Sequence, residues 1–470
     1  MATTVPDQIL PGRLGSLPLS RQVLNLALWP FLEQILSFAV GTVDLVFAGR
    51  MATGAERVVL LDALGLGGYL SWLMMIIQSA VAGGVMAIVS RAAGKGNQAE
   101  ADDGLVQGIL VGGVVGTSSG ILLYLLIPWT VSIFGLADAA AVQAGIYLRI
   151  VCLTCPLLGF FYACTYALRA VGDTRSPFFI ILAVNLTNIA LSWAFVFGPF
   201  GNQGIAGLAW GSVAAWTLGL VLILSFLYRK PAEIDSVTVC LAQVHWRFRR
   251  RMSCRILKVA WPQGLDMTGM WFINALTVGL ITRMPFEGSL GAHFIGIRVE
   301  SMSFLPGYAI GTAGAALVGQ YLGAQRPDQA ARVIRTSSAF AATFMALIGL
   351  SFILFPAALV QLILPGTDSE ARLLVEKAAP LVFLCGFFQP AFAVALVVKN
   401  CLRGAGDTRT VMLYSYLVLI FYRALVIPIG ILHFHFNLQQ VWFCMMLDIA
   451  TQALVFWRVF RKGRWQSLRV

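Results

Sequence analysis

Twelve runs of about twenty apolar residues follow one another along the 470-residue chain, a pattern that lipid accommodates and water does not. A helix of twenty residues rises about 30 Å, the thickness of a bilayer's hydrocarbon core. No water reaches backbone N–H and C=O groups there, so each run must close its own hydrogen bonds as a helix. The runs lie near 22–48, 64–89, 105–127, 144–167, 178–197 and 205–228, then 256–281, 290–317, 333–355, 373–398, 411–432 and 438–460. Composition agrees: 11% of residues are charged, against about 25% in a soluble domain. The first twenty residues are polar and short, so the first run is expected as an uncleaved helix rather than a signal peptide.

The net charge is +12, and its placement argues for membrane orientation rather than a nucleic-acid partner. With the N-terminus inside, 25 of the 33 Lys and Arg fall in the tails and the loops on that side or at the run ends that border them (Lys258, Arg335 and Arg458). Five (Arg50, Arg57, Arg283, Arg372, Lys377) fall in opposite loops, and Arg149, Arg298 and Arg423 within runs. This bias predicts an inner (cell) membrane protein with both termini cytoplasmic, together with a polar stretch at 229–255 that contains Lys230, His245 and Arg247. Cys152 and Cys155 have CxxC spacing, but no second pair and only four His accompany them. They read as buried thiols, and no metal or cofactor is expected.

A repeat joins the runs into two halves. Leu168-Arg169-Ala-Val-Gly172-Asp173-Thr174-Arg175 recurs as Leu402-Arg403-Gly-Ala-Gly406-Asp407-Thr408-Arg409, 234 residues on, and Trp29-Pro30 recurs as Trp261-Pro262, 232 on. Gly94 and its following Gln-Ala pattern match Gly323 and Asp328-Gln-Ala-Ala. Six runs per half place both copies in one orientation, a parallel repeat. The expected fold is an all-α membrane protein of twelve transmembrane helices in two pseudo-symmetric six-helix lobes. Residues 1–228 form the N-terminal lobe, 229–255 a basic cytoplasmic linker and 256–470 the C-terminal lobe. Duplicated halves of this kind are a common basis of alternating access in secondary transporters. The LRxxGDTR segments read as structure: Gly turns the chain, Asp and Thr cap the next helix, and Arg anchors to the interface.

The GDTR copies after the fourth run of each half, Val43-Asp44-Leu-Val-Phe-Ala-Gly49-Arg50 at the end of the first, and Gly319-Gln320-x-Leu-Gly323-Ala324 after the eighth together resemble the multidrug and toxic compound extrusion (MATE) family. The resemblance runs from about residue 20 to 460. It implies a V-shaped twelve-helix antiporter that expels organic, often cationic, compounds in exchange for protons or sodium.

A charge within a span costs about 2.5–3.5 kcal/mol, so each one is a candidate for function. Glu33 and Asp44 are eleven residues apart in the first run, on one helical stripe about 16 Å apart. With no basic partner in that helix they point to a water-filled cleft, although Asp44 could instead end the helix beside Arg50. Asn185, Asn188 and Ser192 share one face of the fifth run, where helix-to-helix hydrogen bonding is the alternative. The resemblance implies an N-lobe ion site of Asp44 and Asn188, with Ser192 where some members carry an acid. Asp266, Arg298 and Glu300 occupy the seventh and eighth runs, with an Asp266–Arg298 salt bridge as one option. Phe387 to Val398 contain no acid where certain members have one, so coupling is expected at Asp44.

The expected assignment is therefore ion coupling at Asp44, Asn188 and Ser192, and a substrate cavity at Glu33, Gln34, Asn185, Asp266 and Glu300. The coupling ion is a proton or sodium, the partners are a small organic molecule and the lipid bilayer, and a monomer is expected. The alternative is an exporter or flippase of lipid-linked or other endogenous metabolites. A membrane enzyme is disfavoured because no His/Asp metal cluster or hydrolase-type Gly-x-Ser-x-Gly context accompanies the runs.

Overall fold

The computed structural model describes residues 15–134, 136–201, 203–229, 237–242, 244, 246–285, 288–364 and 369–468. Lys230 and His245 of the polar stretch lie outside them. The first half holds α1 (Leu19–Met51), α2 (Gly54–Gly94), α3 (Gln98–Ile133), α4 (Asp138–Val151), α5 (Thr154–Ala170), α6 (Arg175–Val196) and α7 (Gly204–Tyr228). The second holds α8 (Arg250–Ile281), α9 (Ser289–Gly323), α10 (Pro327–Leu354), the short α11 (Pro356–Ile363), α12 (Ser369–Gly404), α13 (Thr408–Leu419), α14 (Ile427–His433) and α15 (Leu438–Lys462). Among the described residues eleven spans are long and apolar enough to cross a membrane, and α4 with α5, bent by 46°, make a twelfth if taken as one span. α13 and α14 form one span through a π-helical turn, Ile420–Val426. Pro428 has no N–H to give the carbonyl four residues back, and the helix widens just before it.

The chain forms two compact units, one of Leu32–Gly264 and one of Leu17–Phe31 with Leu265–Val470. The boundaries fall within α1 and α8 rather than in the linker, just after Pro30 and Pro262, where the helical hydrogen-bond ladder is interrupted. The repeated Trp-Pro pair thus marks where each half's first helix changes unit. In the second unit Tyr321 of α9 donates to Gln22 of α1 at 2.8 Å. In the first, Gly84 of α2 lies against the carbonyl of Ile256 in α8.

Both units use the same core. α2, α3 and α5 pack on one another, as do α9, α10 and α12. The third and fourth spans cross most closely at Gly112 and Gly159, and in the second unit at Gly349 and Gly386, where a Cβ on either glycine would collide with the other's backbone oxygen. In lipid, where apolar burial drives little association, such close approach supplies the packing.

The described part of the polar stretch is tied to the start of α3. Cys240 N–H donates to Asp102 at 3.0 Å, Gln107 spans Arg247 O and Arg249 N–H, Arg249 pairs with Asp103, and Arg255 with Glu100 at 3.0 Å. Residues 250–255, expected in the linker, are already helical and extend α8.

Candidate functional site

α1 continues seven residues past Asp44, so this acid does not terminate it. Asp44 is half-buried, and its Oδ1 is buried without a hydrogen-bond partner. The Tyr147 ring of α4 lies within its electrostatic reach and occupies the space left by Gly67 of α2. Phe47, one turn on, meets Phe197 edge-to-face at 5.7 Å, so the ends of α1 and α6 adjoin. Asn185, Asn188 and Ser192 share the buried face of α6, as their spacing predicts. Asn188 Nδ2 donates to Ser212 of α7 at 3.1 Å, so part of this face is a helix-to-helix bond. Gly211 admits Ser192 against α7. Asn185 Nδ2, Asn188 Oδ1 and Ser192 Oγ are buried without partners.

Glu33 departs from expectation. It does not face an open cleft without a base: Arg169 of α5, the Arg of the first LRxxGDTR segment, donates to it at 2.5 Å. Gln34 beside it is half-buried. Asp266 repeats the arrangement in the second unit. It accepts from Arg403, the matching Arg of the second segment, and from Lys399 at 3.3 Å, rather than taking the option of Arg298. Each half thus ties an acid just after its Trp-Pro pair to the Arg at the end of its fourth span. Arg169 and Arg403 are therefore not interface anchors. With Lys399 they leave the loop count, which becomes 22 of the original 25 against five. The turns behave as read, with Gly172 and Gly406 at φ of 99° and 88°, but the capping does so only in part: Asp173 accepts from Ser176 N–H at the start of α6, whereas the Thr174 and Asp407 side chains make no cap bond.

A second buried network was not anticipated. Arg423, on the π-helical turn, donates at 2.7 Å to Asp448 of α15 and at 2.7 Å to Asn274 of α8, while Gln452 also donates to Asp448. Glu300 of α9, half-buried, feels the Arg423 guanidinium through space. This network and the Asp266 group border one cavity of roughly 210 Å³, lined also by Phe304, Tyr308 and Phe392. At about 30 Å³ per water it would hold on the order of seven waters. The signal for it lay in the sequence: Arg423 and Asp448 are charges inside adjacent spans, each needing a partner there.

Of the expected substrate set, Glu33 and Asp266 are each committed to an ion pair within their own unit. Among the described residues no cluster of His, Cys, Asp or Glu is placed to hold a metal ion, and Cys152 and Cys155 are free and buried at the α4–α5 break.

The family model described as MatE matches residues 30–194 and 262–430, two stretches that begin 232 residues apart, the offset of the Trp-Pro pair. The chain is 25% identical over 459 residues to "Probable multidrug resistance protein NorM" of Thermotoga maritima, covering 96% of this chain and 94% of that one. It is 24% identical over 434 residues to "Multidrug resistance protein PmpM" of Pseudomonas aeruginosa, covering 88% and 86%. Its fold is similar to a solved structure of an "outward-facing conformation of a multidrug resistance MATE family transporter", with TM-score 0.81, 16% identity and full coverage of both chains. It is also similar to the Vibrio cholerae MATE transporter VcmN in the bent form, with TM-score 0.79, 19% identity and 95% and 97% coverage. The duplicated architecture, the repeated GDTR turns and a family match over both halves lead to one conclusion: this chain belongs to the multidrug and toxic compound extrusion (MATE) family of membrane transporters.

Proposed function

We propose that this protein is a multidrug efflux transporter of the inner membrane, with cytoplasmic termini, that exports organic and often cationic compounds in exchange for protons or sodium. Relatives named for multidrug resistance support the substrate class. The observation that carries the coupling assignment is a contrast among the intramembrane acids. Glu33, Asp266 and Asp448 each have a cationic partner within 4 Å, whereas among the described residues Asp44 and Glu300 have none, and of these two Glu300 lies within the electrostatic reach of the Arg423 guanidinium. An acid already neutralised by Arg or Lys has little to gain from an incoming ion. An acid in apolar surroundings without such a partner is stabilised by a proton or a metal cation.

In this reading ionised Asp44 leaves the N-terminal unit able to admit a cationic substrate. Uptake of a proton or sodium neutralises it and favours release on the opposite side. The unpartnered Asn188 Oδ1 and Ser192 Oγ offer neutral oxygens on α6, whose end adjoins that of α1, and are suited to accept from a protonated carboxyl or to ligate sodium. One charge falling through 100 mV releases about 2.3 kcal/mol, which sustains a gradient of roughly 50-fold at about 1.4 kcal/mol per decade.

The test uses inverted vesicles, a fluorescent organic cation, and proton and sodium gradients imposed separately. Asp44→Asn should remove gradient-driven uptake while keeping expression and melting temperature, because it deletes a charge whose insertion costs about 2.5–3.5 kcal/mol. Coupled transport by Asp44→Asn at the wild-type rate refutes the assignment.

A further inference from the structure

Outside the candidate site, the first unit carries a groove of roughly 270 Å³ on its surface, lined by Thr117, Ile121, Tyr124, Arg149, Leu153 and Pro156. Its origin is a seam that ends abruptly. Along α3 a Cβ on Gly112, Gly116 or Gly120 would come within 3 Å of the backbone oxygens of Gly159, Cys155 and Cys152 in turn, so the two spans run in close contact. One turn further the register brings Tyr124 and Arg149 instead, and there the fourth span bends by 46° between α4 and α5. The helices part, and the gap is the groove.

Its level and surface point to what fills it. Asp103, paired with Arg249 of the polar stretch, marks one edge of the bundle. Tyr124 lies twenty-one residues on, about 32 Å along the helix, which is close to the 30 Å of a hydrocarbon core. The groove therefore stands at the opposite interface, where lipid phosphates lie. Tyr124 and Trp129 are 51% and 62% exposed there, as belt aromatics are. Ile121 and Leu153, 57% and 50% exposed, present an apolar floor. Arg149 is exposed at the rim, on the side of the membrane that carries few cations in the proposed topology, and among the described residues no acid pairs with it. A guanidinium at that depth is matched by a phosphate, with its stem along the apolar floor.

We propose that this groove binds a phospholipid, Arg149 holding the phosphate while Ile121, Leu153 and Pro156 receive the beginning of an acyl chain. The lipid fills the gap at the broken span and steadies the bend. Native mass spectrometry of the full chain in detergent tests this, using dioleoyl phosphatidylglycerol, dioleoylglycerol and inorganic phosphate as probes. Charge-assisted bonding predicts at least about a tenfold preference for the phospholipid over dioleoylglycerol. Arg149→Gln should reduce that preference below about twofold, and Arg149→Lys should keep most of it. Ile121→Trp, which fills the groove and leaves the cation, should lower retention of both lipids. Unchanged preference in Arg149→Gln, equal binding of dioleoylglycerol, or full competition by inorganic phosphate alone overturns the proposal. Melting temperature with and without phosphatidylglycerol supplies an independent readout: the lipid should stabilise the wild type and not Arg149→Gln.

Discussion

Replacing Asp266 with Asn removes one negative charge that two cations share. Lys399 and Arg403 both touch its Oδ2, so their nitrogens lie no more than about 6 Å apart, and each side chain is 12% exposed. At about 5 Å and an effective dielectric near 20, their mutual repulsion is on the order of 3 kcal/mol. Breaking a buried pair by deleting one partner generally costs about 3–5 kcal/mol, in the same range. For a unit of this size about 3 kcal/mol corresponds to a fall in melting temperature of roughly 6–12 °C. The assay is thermal unfolding of the purified chain in one detergent, comparing Asp266→Asn, Lys399→Met and the double variant. If the repulsion dominates, Lys399→Met added to Asp266→Asn recovers about half of the loss, a coupling that a double-mutant cycle measures directly. An unchanged melting temperature in Asp266→Asn, or a double variant less stable than that single one, would falsify the view that this acid is structural. The opposite signature at Asp44, lost coupling with stability intact, makes the two acids a matched pair of controls.

Glu300→Gln should change which cations are transported without uncoupling them from the gradient; loss of coupling there with coupling retained in Asp44→Asn would move the ion site to the second unit. Gly159→Ala places a Cβ against the Gly112 backbone and should destabilise the first unit by about 1–3 kcal/mol, read as lower thermostability with normal substrate selectivity in the folded fraction. Phe248→Cys on a cysteine-free background, at a residue 63% exposed beside α3, should react with an impermeant maleimide only from the cytoplasmic side. Labelling of intact cells would invert the proposed topology.

Much of this molecule was legible in the sequence because lipid makes hydropathy a local signal. Each of the twelve runs appears as a helical span with limits within about ten residues of those read, since a span is recognised from consecutive residues alone. The GDTR turns were legible for the same reason: a glycine needing positive φ in both copies, and an Asp capping the next helix in the first, are events within a few residues. What the sequence did not reveal is where each charged side chain ends. Glu33 meets Arg169 across 136 residues and Asp266 meets Arg403 across 137, distances that no periodicity bridges. That near-equality, set beside the repeat, was the one hint that both Arg residues belong to ion pairs. The broken fourth span, the π-helical turn carrying Arg423 and the unit boundaries inside α1 and α8 also arise only when helices pack. Sequence thus determined that the chain is duplicated and spans the membrane. Tertiary structure decided which intramembrane acids are neutralised and which remain without a partner, because the energy of a buried charge depends on its spatial neighbours rather than its chain neighbours.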